Sequence, residues 1–296
     1  MGSIAIIAVC LLTLLSCFIV LFINYWLLVQ IIVREKIKRS RHLILFFYRF
    51  LLDLLIGFFI FIYIIYILLL FLFPDYLEFM KDFIFYSALP ALNFGETRAI
   101  LALSIAFDRV MVAYFPAFHF KIRQKLNPGM VFIMSLIYGI SGDFVLFGYC
   151  QFELKIEKSC MAFGCTVNKC FIRFWVFSDI SIFLMISFLS AVLCIKLYHL
   201  NSFGCAAPRN SEIAKANRLA LMDILIVAVF DILPEVIVAK FRDSLNFENV
   251  GPFNACLKLT GFAIESVLVA VTMMKQKDVV PNNSKDSRIT NRISAS

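Results

Sequence analysis

Thr97-Arg98-Ala99-Ile100-Leu101-Ala102-Leu103-Ser104-Ile105-Ala106-Phe107-Asp108-Arg109-Val110, followed at once by a run ending in Tyr114-Phe115-Pro116, is the stretch on which the reading of this chain turns. It is apolar, broken by one guanidinium and closed by a carboxylate and a second guanidinium side by side. At the centre of a membrane helix each such charge costs about 2.5–3.5 kcal/mol on insertion scales, so these residues are not filler. Residues 98, 102, 105 and 109 recur with the spacing of one helix face. Arg98 and Arg109 therefore share a face, about 16 Å apart at 1.5 Å per residue.

On either side of this stretch the chain repeats the same kind of run. Hydrophobic residues make up 62% of it, against roughly 45–50% in soluble domains. A helix needs about 20 apolar residues to cross a bilayer. Seven runs qualify, at 4–33, 43–73, 83–115, 130–149, 174–198, 219–239 and 252–274, and the opening stretch closes the third. The expected fold is an all-α membrane protein, a seven-transmembrane helix bundle in one domain, 1–274. The second and third runs exceed the minimum length, which implies tilt or extension past the bilayer. Run 4–33 reads as an uncleaved span. No basic residue precedes it, it is far longer than a signal h-region of roughly 7–15 residues, and Arg34-Glu35-Lys36 follows directly. Residues 275–296 are polar and are expected to form a disordered tail. The longest loop, 150–173, is too short to build a core of its own.

Orientation follows from the basic residues that flank the spans. One set of loops carries Arg34, Lys36, Lys38, Arg39, Arg41, Lys121, Arg123, Lys125, Arg209, Lys215 and Arg218, and the tail adds Lys275, Lys277, Lys285, Arg288 and Arg292. The alternate loops carry only Lys81, Lys155, Lys158, Lys169, Arg173, Lys240 and Arg242. The reading is an N-terminus outside, a tail inside and an odd number of spans. The net charge of +8 is mainly this bias. It does not signal nucleic-acid binding, because the basic residues flank spans and form no separate domain. The sequon Asn282-Asn283-Ser284 then lies in the cytosol, where it goes unused. Cys150, Cys160, Cys165 and Cys170 fall in one outer loop, where disulfides among them have three possible connectivities. Cys10, Cys17, Cys194 and Cys256 read as packing residues within spans, and Cys205 as a reduced cytosolic thiol.

Ionisable residues inside spans form the list of functional candidates. Asp53, Arg98, Asp143, Asp231 and Glu265 lie deepest. A guanidinium at that depth needs carboxylates or a wet cavity, and Asp53 on the second span and Glu265 on the seventh are the expected partners of Arg98. Asp231 and Glu235 are four apart and flank Pro234, which breaks the backbone ladder and makes the sixth span a candidate hinge. Asn93, Glu96 and Thr97, on the outer half of the third span, are candidate pocket residues. The many Phe and Ile side chains are assigned to lipid contact and packing. No phosphate-binding Gly-rich loop, metal-ligand Cys/His spacing or nucleophile elbow is present. His42, His119 and His199 all lie at the expected cytosolic face and assemble neither a catalytic dyad nor a zinc site. No enzyme activity, metal or cofactor is expected.

Seven spans, Asn24 in the first, Asp53 within Leu-Leu-Asp-Leu-Leu, and Asp108-Arg109-Val110 with Pro116 together resemble the rhodopsin-like G-protein-coupled receptors. More closely, the stretch from Thr97 to Ala106, Tyr114-Phe115-Pro116, Ala216-Asn217-Arg218-Leu219-Ala220-Leu221 and Phe230-Asp231-Ile232-Leu233-Pro234 are similar to the nematode serpentine chemoreceptors of the class called Srbc. That resemblance covers the chain to about Met274. It implies a plasma-membrane receptor of sensory neurons or their cilia, with a small volatile, lipid-like or amine ligand and a heterotrimeric G protein as partner. Asp108 would restrain Arg109 at rest, and Arg109 would help to form the G-protein pocket on activation. The usual staple from the outer loop to the third span has no cysteine there to form it, so the four loop cysteines would pair among themselves. Ile232 stands where the sixth span usually carries Trp, and the seventh span has Glu265 without the Asn-Pro-x-x-Tyr motif. Many rhodopsin-like receptors bind sodium between the second-span Asp and a small polar residue eleven before the motif Arg. That residue is Arg98 here, so its guanidinium is expected to take the place of sodium and pair with Asp53.

The alternative is a ligand-gated channel or another polytopic conduction or transport protein. A channel would need a polar pore-lining face on several helices or an oligomer axis, and a transporter would need repeats and broken half-helices. The sequence displays none of these clearly.

Overall fold

The computed structural model describes residues 2–32, 44–117, 127–154, 156, 160, 162–202, 222, 225–226, 229–230, 233–234 and 252–274. Its long helices are Gly2–Ile32, Ile44–Leu72, Asp82–Tyr114, Pro128–Asp143, Lys169–Ser202 and Phe253–Met274. They correspond to the first to fifth and the seventh runs, and are called by those ordinals below. Five of them, all but the third, are long and apolar enough to cross a membrane, the fourth when its continuation to Tyr149 is included. The third carries Glu96, Arg98, Asp108 and Arg109, and it can do so because of where it sits. It packs against the second, fourth and fifth helices, so its polar face meets protein rather than lipid. The first helix closes the bundle by packing on the second and the seventh.

The surface of the bundle is apolar. Phe18, Phe22, Phe58, Phe144, Phe177 and Phe188 are all exposed. In water, patches of this kind would drive association, whereas acyl chains solvate them. Cys194 is exposed on this surface rather than packed, while Cys10, Cys17 and Cys256 are buried. Polar side chains hold helices in register from inside. The Asn24 amide donates to Ser266 Oγ at 2.9 Å, Ser16 meets Thr260 at 3.2 Å, and Tyr138 meets Ser178 at 2.6 Å.

Local chemistry sets the helix ends. The third helix stops at Tyr114 because Pro116 disfavours helical backbone at the residue before it, and Phe115 lies at φ −129°, ψ 60°. The fourth starts at Pro128, whose missing N–H is no loss at a first helical position, under a cap in which Asn127 accepts from the Gly129 N–H at 3.0 Å. It ends by widening into a π-helix, Phe144–Tyr149, beyond which Gln151 takes a left-handed φ of 46°. The fifth helix outruns its apolar stretch at both ends. Lys169 and His199 are helical but lie outside the apolar run 174–198.

Beyond the π-helix the chain is stapled twice. Cys150 bonds Cys170, joining the end of the fourth helix to the start of the fifth, and Cys160 bonds Cys165. The small loop between the second pair carries Phe163, which stacks on Phe85 and meets the edge of Trp175. Its backbone N–H donates to the Tyr63 hydroxyl at 3.2 Å.

Candidate functional site

The centre of the bundle holds four charges from three helices. Arg98 Nε donates to Asp53 Oδ1 at 2.5 Å, and its second arm reaches Glu265 Oε2 at 2.7 Å. The same oxygen accepts from Arg49 at 2.9 Å. The Arg98 guanidinium also lies over the Phe262 ring, 3.7 Å from its centroid. Helix geometry explains the convergence. Arg49 and Asp53 are one turn apart on the second helix, so they face the third and seventh helices together. All four side chains are buried, Arg49 completely. Two cations and two anions cancel, which is the condition for keeping such groups out of water.

Eleven residues further along the same face, Arg109 is 1% exposed. Asp108 lies 3.6 Å from it, and the Phe46 ring is 5.9 Å from its guanidinium carbon. Val110 is half-buried, and Pro116 is exposed just past the helix end.

At the stapled end, above Arg98, a cavity of about 320 Å³ opens between the second, third, fifth and seventh helices. Residues one helical turn apart line it: Ile56, Ile60 and Tyr63; Glu96, Arg98, Ala99 and Ala102; Trp175, Asp179, Phe183 and Ile186; Ala255, Leu259 and Phe262. Phe163 and Gly164 of the small disulfide loop cover part of it. The walls are mostly apolar. The exception is one side, where Lys258 lies 3.5 Å from Asp179 and Asp179 and Trp175 both approach Glu96.

The structure brings Asp53, Arg98 and Glu265 together and adds Arg49 to them. Glu96 lines the cavity. Asn93 and Thr97 turn instead toward the fourth helix: Asn93 donates to Asp143 Oδ2 at 2.9 Å, and Thr97 donates to the Asn93 carbonyl beside Gly139. Several Phe and Ile side chains that were assigned to packing and lipid alone line the cavity as well. Pro234 is buried, and Asp231 and Glu235 lie outside the described residues. Arg49 escaped the sequence reading of the network because it stands only a few residues inside its run, where a basic residue reads as an anchor. Its offset of four from Asp53 was the available signal. Asp179 and Lys258 were legible only as unassigned charges on two different spans.

No curated protein matches the chain. The family described as serpentine type 7TM GPCR chemoreceptor Srbc matches residues 1–277, which takes in every helix described above. With its charged third helix at the middle of a membrane bundle and this match along nearly its whole length, the chain belongs to the Srbc family of serpentine seven-transmembrane chemoreceptors.

Proposed function

We propose that the protein is a chemosensory receptor of the plasma membrane, with its N-terminus outside, that binds a small external ligand and activates a heterotrimeric G protein. One observation carries this reading. Arg98 lines the cavity, and it stands on the same helix face as Arg109. A ligand that presses on Arg98 bears on the network of Asp53, Glu265 and Arg49, and so on how the second, third and seventh helices pack. Arg109, buried beside Asp108, is the group whose release such a repacking changes. Ligand binding does this only by differing in affinity for the two packings. Lys121, Arg123, Lys125, Lys215 and Arg218 would flank the docking surface. They lie outside the described residues.

The test is ligand-dependent nucleotide exchange on a G protein in membranes that contain the receptor. Exchange is expected to be lost in Arg109→Ala with surface expression and ligand binding retained. Exchange that persists in that variant would overturn the coupling role. A ligand-dependent current that survives the mutation would favour a channel.

A further inference from the structure

We propose that the cavity takes a small organic monocation, an amine with an apolar body, whose ammonium is received by Glu96. This rests on the reading of the cavity as the ligand site and narrows it to a class of ligand. Three observations converge on it.

The first is unmet hydrogen bonding. Glu96 Oε2 and Asn254 Oδ1 are both buried without a partner, and both residues line this cavity. Carboxylate and amide oxygens only accept, so what completes them must donate. Buried acceptors left open are costly, and a ligand that fills them recovers that cost.

The second is charge. Among the described residues the network below sets two guanidinium groups against Asp53 and Glu265. The polar wall above it is not so matched. Among the described residues it holds two carboxylates, Glu96 and Asp179, and one ammonium, Lys258, which Asp179 engages at 3.5 Å. Counted over those described residues, the wall has one more carboxylate than ammonium. A proton shared between the carboxylates or a bound ammonium can supply the matching positive charge, and the ammonium also brings further N–H donors to this wall.

The third is shape and chemistry. Trp175 stands beside Glu96 and lines the same cavity. The remaining walls, including Ile60, Phe183 and Phe262, are mostly apolar; their polar members are Tyr63 and Arg98, whose guanidinium is engaged by Asp53 and Glu265. At about 320 Å³ the cavity is at the lower end of the range of small-molecule sites, roughly 300–1,000 Å³. A neutral donor of the same length can hydrogen-bond Glu96 but supplies no charge, and an anionic ligand is repelled.

The experiment uses the full-length receptor in lipid nanodiscs with four probes matched in chain length: heptylamine, heptan-1-ol, heptanoic acid and octane. Binding is measured directly and as a shift in thermal unfolding at neutral pH. Heptylamine is expected to bind roughly tenfold to a hundredfold more tightly than heptan-1-ol, the range for a charge-assisted hydrogen bond. Glu96→Gln should abolish that preference while heptan-1-ol binding stays, which also shows that the variant is folded. Glu96→Asp should keep the preference in part. Heptan-1-ol or heptanoic acid binding as tightly as the amine would overturn the proposal and leave the cavity reading standing. So would a preference for the amine that survives Glu96→Gln. Absence of binding by all four probes would overturn both.

Discussion

Glu265 Oε2 accepts from two guanidinium groups, Arg49 and Arg98. Removing one partner of a buried ion pair costs about 3–5 kcal/mol, because the charge that remains is still out of water. Glu265→Gln should therefore destabilise the bundle by about that amount, read as a large fall in unfolding temperature in detergent or as loss of surface expression. Arg98 makes a separate prediction. Its guanidinium occupies the space in front of Asp53, so a small hydroxyl there would leave the carboxylate facing a void that a cation can enter. Ligand affinity of the wild-type receptor should be the same in sodium and in choline chloride, and Arg98→Ser should make it sodium-dependent; a wild-type receptor already modulated by sodium would refute this. At this scale the sequence is informative where charge is scarce. Arg98, Asp53 and Glu265 stand out because each interrupts an apolar run. Direction is what such a run conceals: Asn93, Glu96 and Thr97 crowd one helical turn, and only three-dimensional packing decides that the first and last face the fourth helix while Glu96 faces the cavity.

Among the elements, the third and fourth helices approach closely at Gly139. A Cβ added there would land on the Thr97 hydroxyl and the Asn93 carbonyl, and one of these is backbone that cannot step aside. Three residues on, Gly142 has no neighbour within 4 Å. Gly139→Ala should accordingly destabilise the pair by about 1–3 kcal/mol, as overpacking does, and Gly142→Ala should be near neutral. Thermal unfolding of the two variants side by side makes the comparison. The elements themselves were the most legible part of the chain, since apolar runs of membrane length are hard to mistake. The first run, 4–33, differs from the helix Gly2–Ile32 by one or two residues at each end, and Pro116 marks the end of the third by its chemistry alone. The widening of the fourth helix into a π-turn at Phe144 left no comparable mark, because no Pro introduces it and Phe144 to Tyr149 simply continue the apolar run. The pairing of the four loop cysteines was equally closed to the sequence, which offers three connectivities and no distances.

Across the molecule, two buried arginines divide the third helix into levels, with the cavity and the disulfide loop at one end and Asp108-Arg109 at the other. The balanced cluster lies between them and ties that helix to the second and the seventh. This arrangement bears on biosynthesis as well as on signalling. Arg49 and Arg98 precede Glu265 by 216 and 167 residues, so the early helices enter the bilayer well before the carboxylate they share has been made. Of the two carboxylates described in this cluster, only Asp53 is present until the seventh helix arrives. A chain ended before residue 252 should insert its early helices but stay protease-sensitive and be held back from the cell surface. Co-expression of the missing C-terminal segment should rescue it, and the same segment carrying Glu265→Ala should not. That outcome would make the cluster a checkpoint on completeness, set by whether the final helix has brought Glu265 to Arg49 and Arg98.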